Sequence, residues 1–241
     1  MSRNYDEEFV TRLFTEMSPS YDVVNLVSSF GFSEFWRAKC AGNLELRTGD
    51  VVVDFRAGRG ECRSYVRRRI KATGRIFSVD ICPAMCKRKE ARLSHHAQKP
   101  IDIRCENALS TRLPASSLDH VISAFGLKTF NATQLRRLIA EIFCILRPGG
   151  SCSLLEISTP RVCFLRSAYL FYIGIVISRV GRIFLKNIQC YRMLGVYTEA
   201  FGDCGQVADY LGKAGFRVTL KRHFFGCASS VVATKPEKSV A

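Results

Sequence analysis

Residues 51–61, VVVDFRAGRGE, place an acidic side chain directly before a loop of small residues. The first residues suit a buried strand that ends near Asp54, and the small residues of the loop are Ala57, Gly58 and Gly60. Glycine lets the backbone come close to a ligand, so a strand, this loop and a following helix predict a nucleotide-sized binding turn. Arg56 is bulky for such a turn and Arg59 separates the two glycines. A tight turn that binds nothing is therefore the alternative.

Two further polar positions follow strand-like segments. Asp80 ends RIFSVD (75–80), where a carboxylate can accept both hydroxyls of a ribose or can cap the next helix. We favour the ribose role because of the glycine loop. Asn107 and Ala108 follow IDIRC (101–105), where an amide side chain and a backbone N–H can read an adenine edge, although Asn is common in loops.

The loop spacing distinguishes between nucleotide ligands. A dinucleotide fingerprint needs a third glycine that this chain lacks, whereas an acid at Asp54 followed by a short A-G-x-G suits S-adenosylmethionine. The sulfonium and amino-acid groups of that molecule need acid and backbone groups instead of a pyrophosphate cradle.

The segments around these positions alternate between strand and helix. Strands are predicted at 51–55, 75–80, 101–105, 118–125 and 151–157, with helices at 61–72, from about residue 83, and at 133–146. Pro148-Gly149-Gly150 is expected to separate the last helix from the fifth strand. The alternation predicts a doubly wound parallel α/β sheet, whose strand ends bring the three polar segments together.

The remaining segments complete a single domain over residues 1–241. Residues 7–44 are predicted to form an N-terminal helical cap, residues 50–158 the donor-binding core, and residues 160–203 a helical lid that contacts the acceptor. Residues 204–235 are predicted to add a helix and an antiparallel strand pair, 216–222 with 227–235.

Composition limits the partners. The chain of 241 residues carries a formal charge of +15, which suggests an anionic partner or simply a basic solvated surface. No nucleic-acid-binding motif accompanies the charge, so we expect no nucleic-acid partner. The eleven cysteines lack C-x-x-C spacing and are interpreted as reduced core residues, and the four histidines show no metal-ligand spacing. The longest apolar run, residues 167–178, is too short to cross a bilayer.

Several motifs together resemble the ubiquinone/menaquinone biosynthesis C-methyltransferases over residues 14–234. The matching stretches are YDVVNLVSSFGFSEFWR (21–37), VVVDFRAGRGE (51–61), VDICPAM (79–85), ENALSTRLP (106–114), LDHVISAFGLK (118–128), LRPGGSCSLLEIS (146–158), CYRMLG (190–195) and LGKAGF (211–216). The S-F-G-x-x-x-x-W-R and A-F-G-L-K segments are more specific than the glycine loop.

The resemblance implies a seven-stranded, mostly parallel class I methyltransferase fold, Rossmann-like, with helices on both faces of the sheet. It implies S-adenosyl-L-methionine as donor and a polyprenylated quinol, methylated on a ring carbon, as acceptor. Carried over by motif, the donor contacts are Arg59, Asp80, the pair Asn107-Ala108, and Ala124.

The sequence departs from the family pattern near the donor contacts and just after them. Arg59 stands in a loop that is normally G-T-G, and Ala124 replaces a common Ser. Lys128 and Thr129 stand where Arg and Asn are usual. These changes bear on donor affinity and leave the fold assignment unchanged.

Ring methylation needs an electron-rich ring, so groups that remove or stabilise the charge of a quinol hydroxyl are candidates for catalysis. The candidates are Lys128, Glu156 and Tyr191. A lysine ammonium lowers the pKa of a neighbouring hydroxyl, although Lys128 could equally be an exposed loop residue and Glu156 only a loop cap. Tyr21 and Trp36 are candidates for the acceptor wall or for ordinary packing.

A polyprenyl acceptor partitions into membrane, and residues 160–190 mix apolar and basic side chains. We expect a lid that also contacts an anionic membrane surface, with the protein in the cytoplasm at its inner face; a lid that only packs on the domain is the alternative. The partners considered are a second copy or a quinone-biosynthesis complex.

Three functions stay open at this point. The leading one is quinol C-methylation in menaquinone or ubiquinone biosynthesis. The others are a diverged methyltransferase for another lipid or aromatic acceptor, and a non-catalytic accessory subunit of a quinone-synthesising complex.

Overall fold

The structure is a computed structural model of the 241-residue chain. It describes residues 2–19, 24–26, 29–58, 62–94, 101–176, 179 and 189–237. Arg59, Gly60 and Tyr21, which the sequence analysis singled out, lie outside these ranges, as do residues 180–188 of the expected lid.

One seven-stranded sheet organises the chain, in the order β3-β2-β1-β4-β5-β7-β6. The strands are β1 (Val51–Phe55), β2 (Arg75–Asp80), β3 (Asp102–Cys105), β4 (Leu118–Ala124), β5 (Leu146–Ile157), β6 (Arg217–His223) and β7 (Ala228–Thr234). The first five strands pair in parallel, and β7 pairs antiparallel with both β5 and β6. The mostly parallel sheet and its closing antiparallel pair are confirmed.

Helices connect these strands, as the alternating pattern predicts. They are α1 (Glu7–Met17), α2 (Phe32–Gly42), α3 (Arg63–Ile70), α4 (Pro83–Ser94), α5 (Ala132–Ile145), α6 (Cys163–Phe171), α7 (Gln189–Phe201) and α8 (Gly205–Lys213). A π-helical turn, Tyr172–Val176, follows α6, and short 3-10 turns stand at Ser2–Tyr5, Leu127–Thr129 and Phe224–Gly226. Among the described residues no helix is long and apolar enough to cross a membrane.

Two apolar clusters cover the two faces of the sheet. Successive residues of β1 alternate between them: Val53 packs with α5 residues such as Leu138, and Val52 packs with Trp36 and Cys40 of α2. Adjacent side chains of a strand point to opposite faces, so the sheet is buried on both sides. This burial leaves the strand ends as the places where polar groups meet.

The fifth strand begins earlier than the sequence predicts. Pro148-Gly149-Gly150 was expected to precede the strand, but β5 begins at Leu146 and contains the three residues. The β4–β5 register shifts between Leu118 and His120, and Gly149 and Gly150 exchange backbone hydrogen bonds with Lys235. An irregular start to the pairing accommodates proline and glycine in a strand.

Candidate functional site: two adjoining cavities at the carboxyl edge of the sheet

The loop after β1 is held by the carboxylate that ends β2. The Gly58 N–H donates to one Asp80 oxygen at 2.9 Å, and the Cys82 N–H donates to the other at 2.9 Å. The Ala57 N–H donates to the Val79 carbonyl at 3.3 Å. A carboxylate has about four acceptor positions, so Asp80, with one N–H on each oxygen, keeps capacity for a ligand.

A small cavity of about 40 Å³ lies beside this carboxylate. Three of the predicted donor contacts line it: Gly58, Asp80 and Ala124. Two others, Asp54 and Ala57, are buried in β1 and its loop. The sheet therefore brings most of the described donor candidates to one edge, as the fold rule predicts.

Asn107 and Ala108 follow β3 and are engaged within the protein. The Asn107 side-chain oxygen accepts the Leu109 N–H at 3.0 Å, and its amide nitrogen donates to the Glu7 carboxylate of α1. Ala108 is buried in the apolar core. The adenine-reading role of these two residues stays a prediction.

The N-terminal segment covers this edge of the sheet. Beside the Glu7 contact, Gln134 donates to the Tyr5 carbonyl at 2.9 Å, and the Tyr197 hydroxyl donates to the Asn4 carbonyl. Phe14 of α1 lines the small cavity. Residues 4–14 thus lie over the ends of the strands from which the predicted donor contacts come.

A second, larger cavity of about 380 Å³ is almost entirely apolar in its lining. Seven aromatic side chains contribute to its wall: Phe30, Phe32, Trp36, Phe125, Tyr169, Tyr172 and Phe224. Phe125 also lines the small cavity, so the two cavities share a wall. The expected wall position of Trp36 agrees with this geometry.

Lys128 is the charged residue on the wall of the larger cavity. Its ammonium lies 2.7 Å from a Glu156 oxygen, and its backbone N–H donates to the other oxygen at 3.1 Å. Lys128 is 4% exposed and Glu156 is fully buried. Both Glu156 oxygens therefore accept hydrogen bonds from Lys128. The oxygen that contacts the ammonium also accepts the Ile157 N–H at 2.7 Å.

The third catalytic candidate, Tyr191, belongs to α7, and its side chain lies outside the described part of the chain. Sequence reasoning placed Tyr169 and Tyr172 in the lid without assigning them to the cavity. Burial raises the pKa of both phenols, and the Tyr169 hydroxyl donates to the Cys227 carbonyl at 3.1 Å. These tyrosines therefore face the cavity as neutral groups.

Phe125 was missed as a residue of the site. Phe125 belongs to the A-F-G-L-K segment that the sequence analysis quoted, so the motif pointed to this region. Only the three-dimensional structure shows that Phe125 lines both cavities.

The sheet has one reversed strand, β7, and the Asp80 carboxylate holds the glycine-containing loop after β1. These two features define a class I methyltransferase that uses S-adenosylmethionine. Solved structures share this fold. A SAM-dependent methyltransferase from Aquifex aeolicus has a TM-score of 0.56 at 16% identity, covering 78% of this chain and 84% of that one. Human N-acetylserotonin methyltransferase has a TM-score of 0.59 at 18% identity, covering 92% and 59%.

Residues 2–235 match the model of the ubiE/COQ5 methyltransferase family, and the chain belongs to that family. A demethylmenaquinone methyltransferase from Lactococcus lactis is 29% identical over 234 residues, which are 97% of this chain and 92% of that protein. The protein of the same name from Anoxybacillus flavithermus is 27% identical over 232 residues, covering 96% and 97%.

We call the edge of the sheet that carries Gly58, Asp80 and Ala124 the donor edge. Its residues fit S-adenosylmethionine in type and position, but the open volume beside them does not. Small-molecule sites commonly enclose about 300–1,000 Å³, whereas the cavity beside Asp80 measures about 40 Å³. The Arg56 side chain lines this space. The assignment of Asp80, Gly58 and Ala124 to the donor stays a prediction.

Proposed function

We propose that this methyltransferase transfers the methyl group of S-adenosylmethionine to a ring carbon of a polyprenylated quinol. The first candidate is a demethylmenaquinol-type naphthoquinol, in view of the names of the relatives from L. lactis and A. flavithermus. The observation that carries the proposal is the apolar cavity with one lysine on its wall, which shares Phe125 with the donor edge.

The cavity suits a flat ring with an apolar tail. Its volume of about 380 Å³ is in the range of small-molecule sites, and Trp36, Phe32 and Phe125 form a continuous aromatic group with centroid separations of 5.8 and 6.4 Å. Aromatic walls bury a quinol ring well and offer no competing charge. A strongly polar or phosphorylated acceptor would lose its hydration there without replacement.

Lys128 supplies the polarity that the reaction needs. As a quinol hydroxyl gives up its proton, negative charge develops on oxygen and spreads to the neighbouring ring carbon, which then takes the methyl group and later releases its own proton. An ammonium beside that oxygen stabilises the developing charge and lowers the pKa of the hydroxyl. Because Glu156 lies behind Lys128, we assign it the role of positioning the ammonium, and Tyr191 stays a candidate base.

The donor supplies an electrophilic methyl group on a sulfonium. We assign its ribose to Asp80 and its adenine to the segment at Asn107-Ala108, with Gly58 and Ala124 at the floor of the donor edge. Asp54 and Ala57 support the loop from below, and Arg59 and Gly60 are proposed to complete it.

The mouth of the larger cavity supports access from a membrane. Phe30 and Phe224 line the cavity and are 79% and 57% exposed, and Phe225, in ring contact with Phe224, is 76% exposed. Exposed aromatic groups on a chain with a formal charge of +15 suit the interface of an anionic bilayer. We propose peripheral contact there, through which the prenyl tail reaches the cavity.

A quinone profile tests the proposal in the source cell. Mass spectrometry of a strain that lacks this gene should show a quinone lighter by one methyl group, and the intact gene should restore the mature quinone. A profile unchanged by the deletion would contradict the proposed acceptor.

A further inference from the structure

Arg56 adopts a backbone conformation that arginine rarely takes. Its φ is 54°, in the left-handed region, at the first position of the loop after β1. That conformation is unfavourable for a residue with a Cβ, so the packing around Arg56 has to hold it.

The side chain is directed into the donor edge. A Cβ placed on Gly126 would lie 2.4 Å from the Arg56 Cβ, so the absence of a side chain at Gly126 is what lets Arg56 pass there. Beyond that point the guanidinium lies 4.5 Å from the centre of the Phe130 ring. The side chain lines the small cavity together with Asp80 and Ala124.

Two carboxylates act electrostatically on the guanidinium and favour its charged form. Burial lowers the pKa of Arg56, and the negative charges of Asp80 and Glu7 oppose that effect most strongly. Asp80 is the carboxylate assigned to the donor ribose, and Glu7 lies on α1, which covers the edge. The guanidinium also makes a favourable cation–π contact with the Phe130 ring.

We propose that Arg56 is an internal competitor for the methyl donor: its side chain lines the small cavity together with Asp80 and takes space that S-adenosylmethionine needs, so it must move before the donor binds. The apparent affinity for the donor then equals the affinity of the open site multiplied by the fraction of molecules in which Arg56 has moved away. The inference rests on the donor and is independent of which acceptor is methylated.

The test is isothermal titration calorimetry with S-adenosylhomocysteine. This molecule, which the donor becomes after methyl transfer, lacks the sulfonium charge, so its affinity reports displacement of Arg56 free of repulsion between two cations. The variants are Arg56→Gly, which tolerates a positive φ, and Arg56→Asn, which tolerates it better than most residues with a side chain. Arg68→Asn is the matched control, because Arg68 is exposed and its guanidinium lies 5.2 Å from the Tyr65 ring, in contact with an aromatic as Arg56 is.

Both Arg56 variants should bind S-adenosylhomocysteine at least about tenfold more tightly than the wild-type chain, which corresponds to a wild-type site open less than about a tenth of the time. Arg68→Asn should bind as the wild type does. Unchanged or weaker binding by a folded Arg56 variant would overturn the proposal, and weaker binding would show that Arg56 contacts the donor. Thermal melting without ligand establishes that each variant is folded, and Arg56→Asn decides the question if Arg56→Gly does not fold.

Discussion

Lys128, on the wall of the mostly apolar larger cavity, forms a buried ion pair with Glu156 behind it. Removing one partner of such a pair leaves an uncompensated buried charge and costs about 3–5 kcal/mol. A single substitution would therefore confuse loss of folding with loss of catalysis. Replacing both residues with neutral ones of similar size keeps the packing and removes the two charges together, so that neither is left buried without its partner.

The double variant Lys128→Met/Glu156→Gln is expected to fold and to bind S-adenosylhomocysteine as the wild type does. It should methylate quinol about 10²–10³-fold more slowly, which is the usual effect of losing one group that stabilises transition-state charge. Steady-state rates should show the loss in kcat. Lys89→Met is the control, since Lys89 is also buried and donates to Ser78 at 2.5 Å without lining either described cavity. Normal turnover by the double variant would remove Lys128 from the mechanism.

At the residue scale, the sequence identified residues of suitable chemistry more reliably than it indicated where their side chains lie. Asp80 and Lys128 were identified from their motifs, and they line the small and the larger cavity respectively. The bulk of Arg56 was visible in the sequence, but its course past Gly126 depends on a left-handed backbone that a motif does not encode. Burial of Glu156 behind Lys128 likewise follows from three-dimensional packing.

The order of the elements followed from the sequence more completely. Alternating apolar strands and amphipathic helices predicted β1 and β2 with the observed bounds, and α5 within one residue at each end. A capping box on α5, with Asn131 and Gln134 bonded reciprocally, sharpens that start. The early start of β5 was missed because Pro148 and Gly149 read locally as a turn, while pairing with β4 and Lys235 extends the strand.

His120 joins the strands at the opposite edge of the sheet from the cavities. One ring nitrogen lies 3.1 Å from Asp50, just before β1, and the other lies 2.9 Å from the Ser151 hydroxyl of β5. Burial lowers the pKa of His120, against the raising effect of Asp50 and Asp119. The folded protein therefore holds this ring neutral at pH values where the unfolded chain, with a pKa of about 6.5, begins to bind a proton.

The contribution of His120 to stability is present above the unfolded pKa and decreases as the pH falls from about 6.5 toward the lower folded pKa. We expect His120→Gln to lose less free energy of unfolding than the wild type between pH 7 and pH 5, as measured by urea denaturation. His223, whose pKa is also lowered, remains in both proteins, so the difference between them reports His120. Parallel pH profiles would show that His120 does not titrate in this range.

At the scale of the whole molecule, the basic charge and the aromatic cavity mouth suggest one orientation on a membrane. Phe164 and Phe225 are 81% and 76% exposed and do not line either described cavity, so they can be changed without altering the acceptor site. Burying a large apolar side chain is worth about 1.5–3 kcal/mol.

The wild-type chain should therefore co-sediment with vesicles of anionic lipid, less with neutral lipid, and Phe164→Ser/Phe225→Ser should bind the anionic vesicles at least about tenfold more weakly. Addition of salt should weaken the part of the vesicle binding that depends on charge. Equal sedimentation of the wild type and the variant would show that these rings do not enter the bilayer.

The most direct measurement of the central claim uses the purified chain with S-adenosylmethionine carrying a deuterated methyl group and a reduced demethylnaphthoquinol or demethylbenzoquinol in detergent. Tandem mass spectrometry locates the label in the product. The account predicts one labelled methyl group on a ring carbon, formed by the wild type and almost lost in Lys128→Met/Glu156→Gln. Label on oxygen, or no transfer to either quinol by a chain that binds S-adenosylhomocysteine, would contradict it.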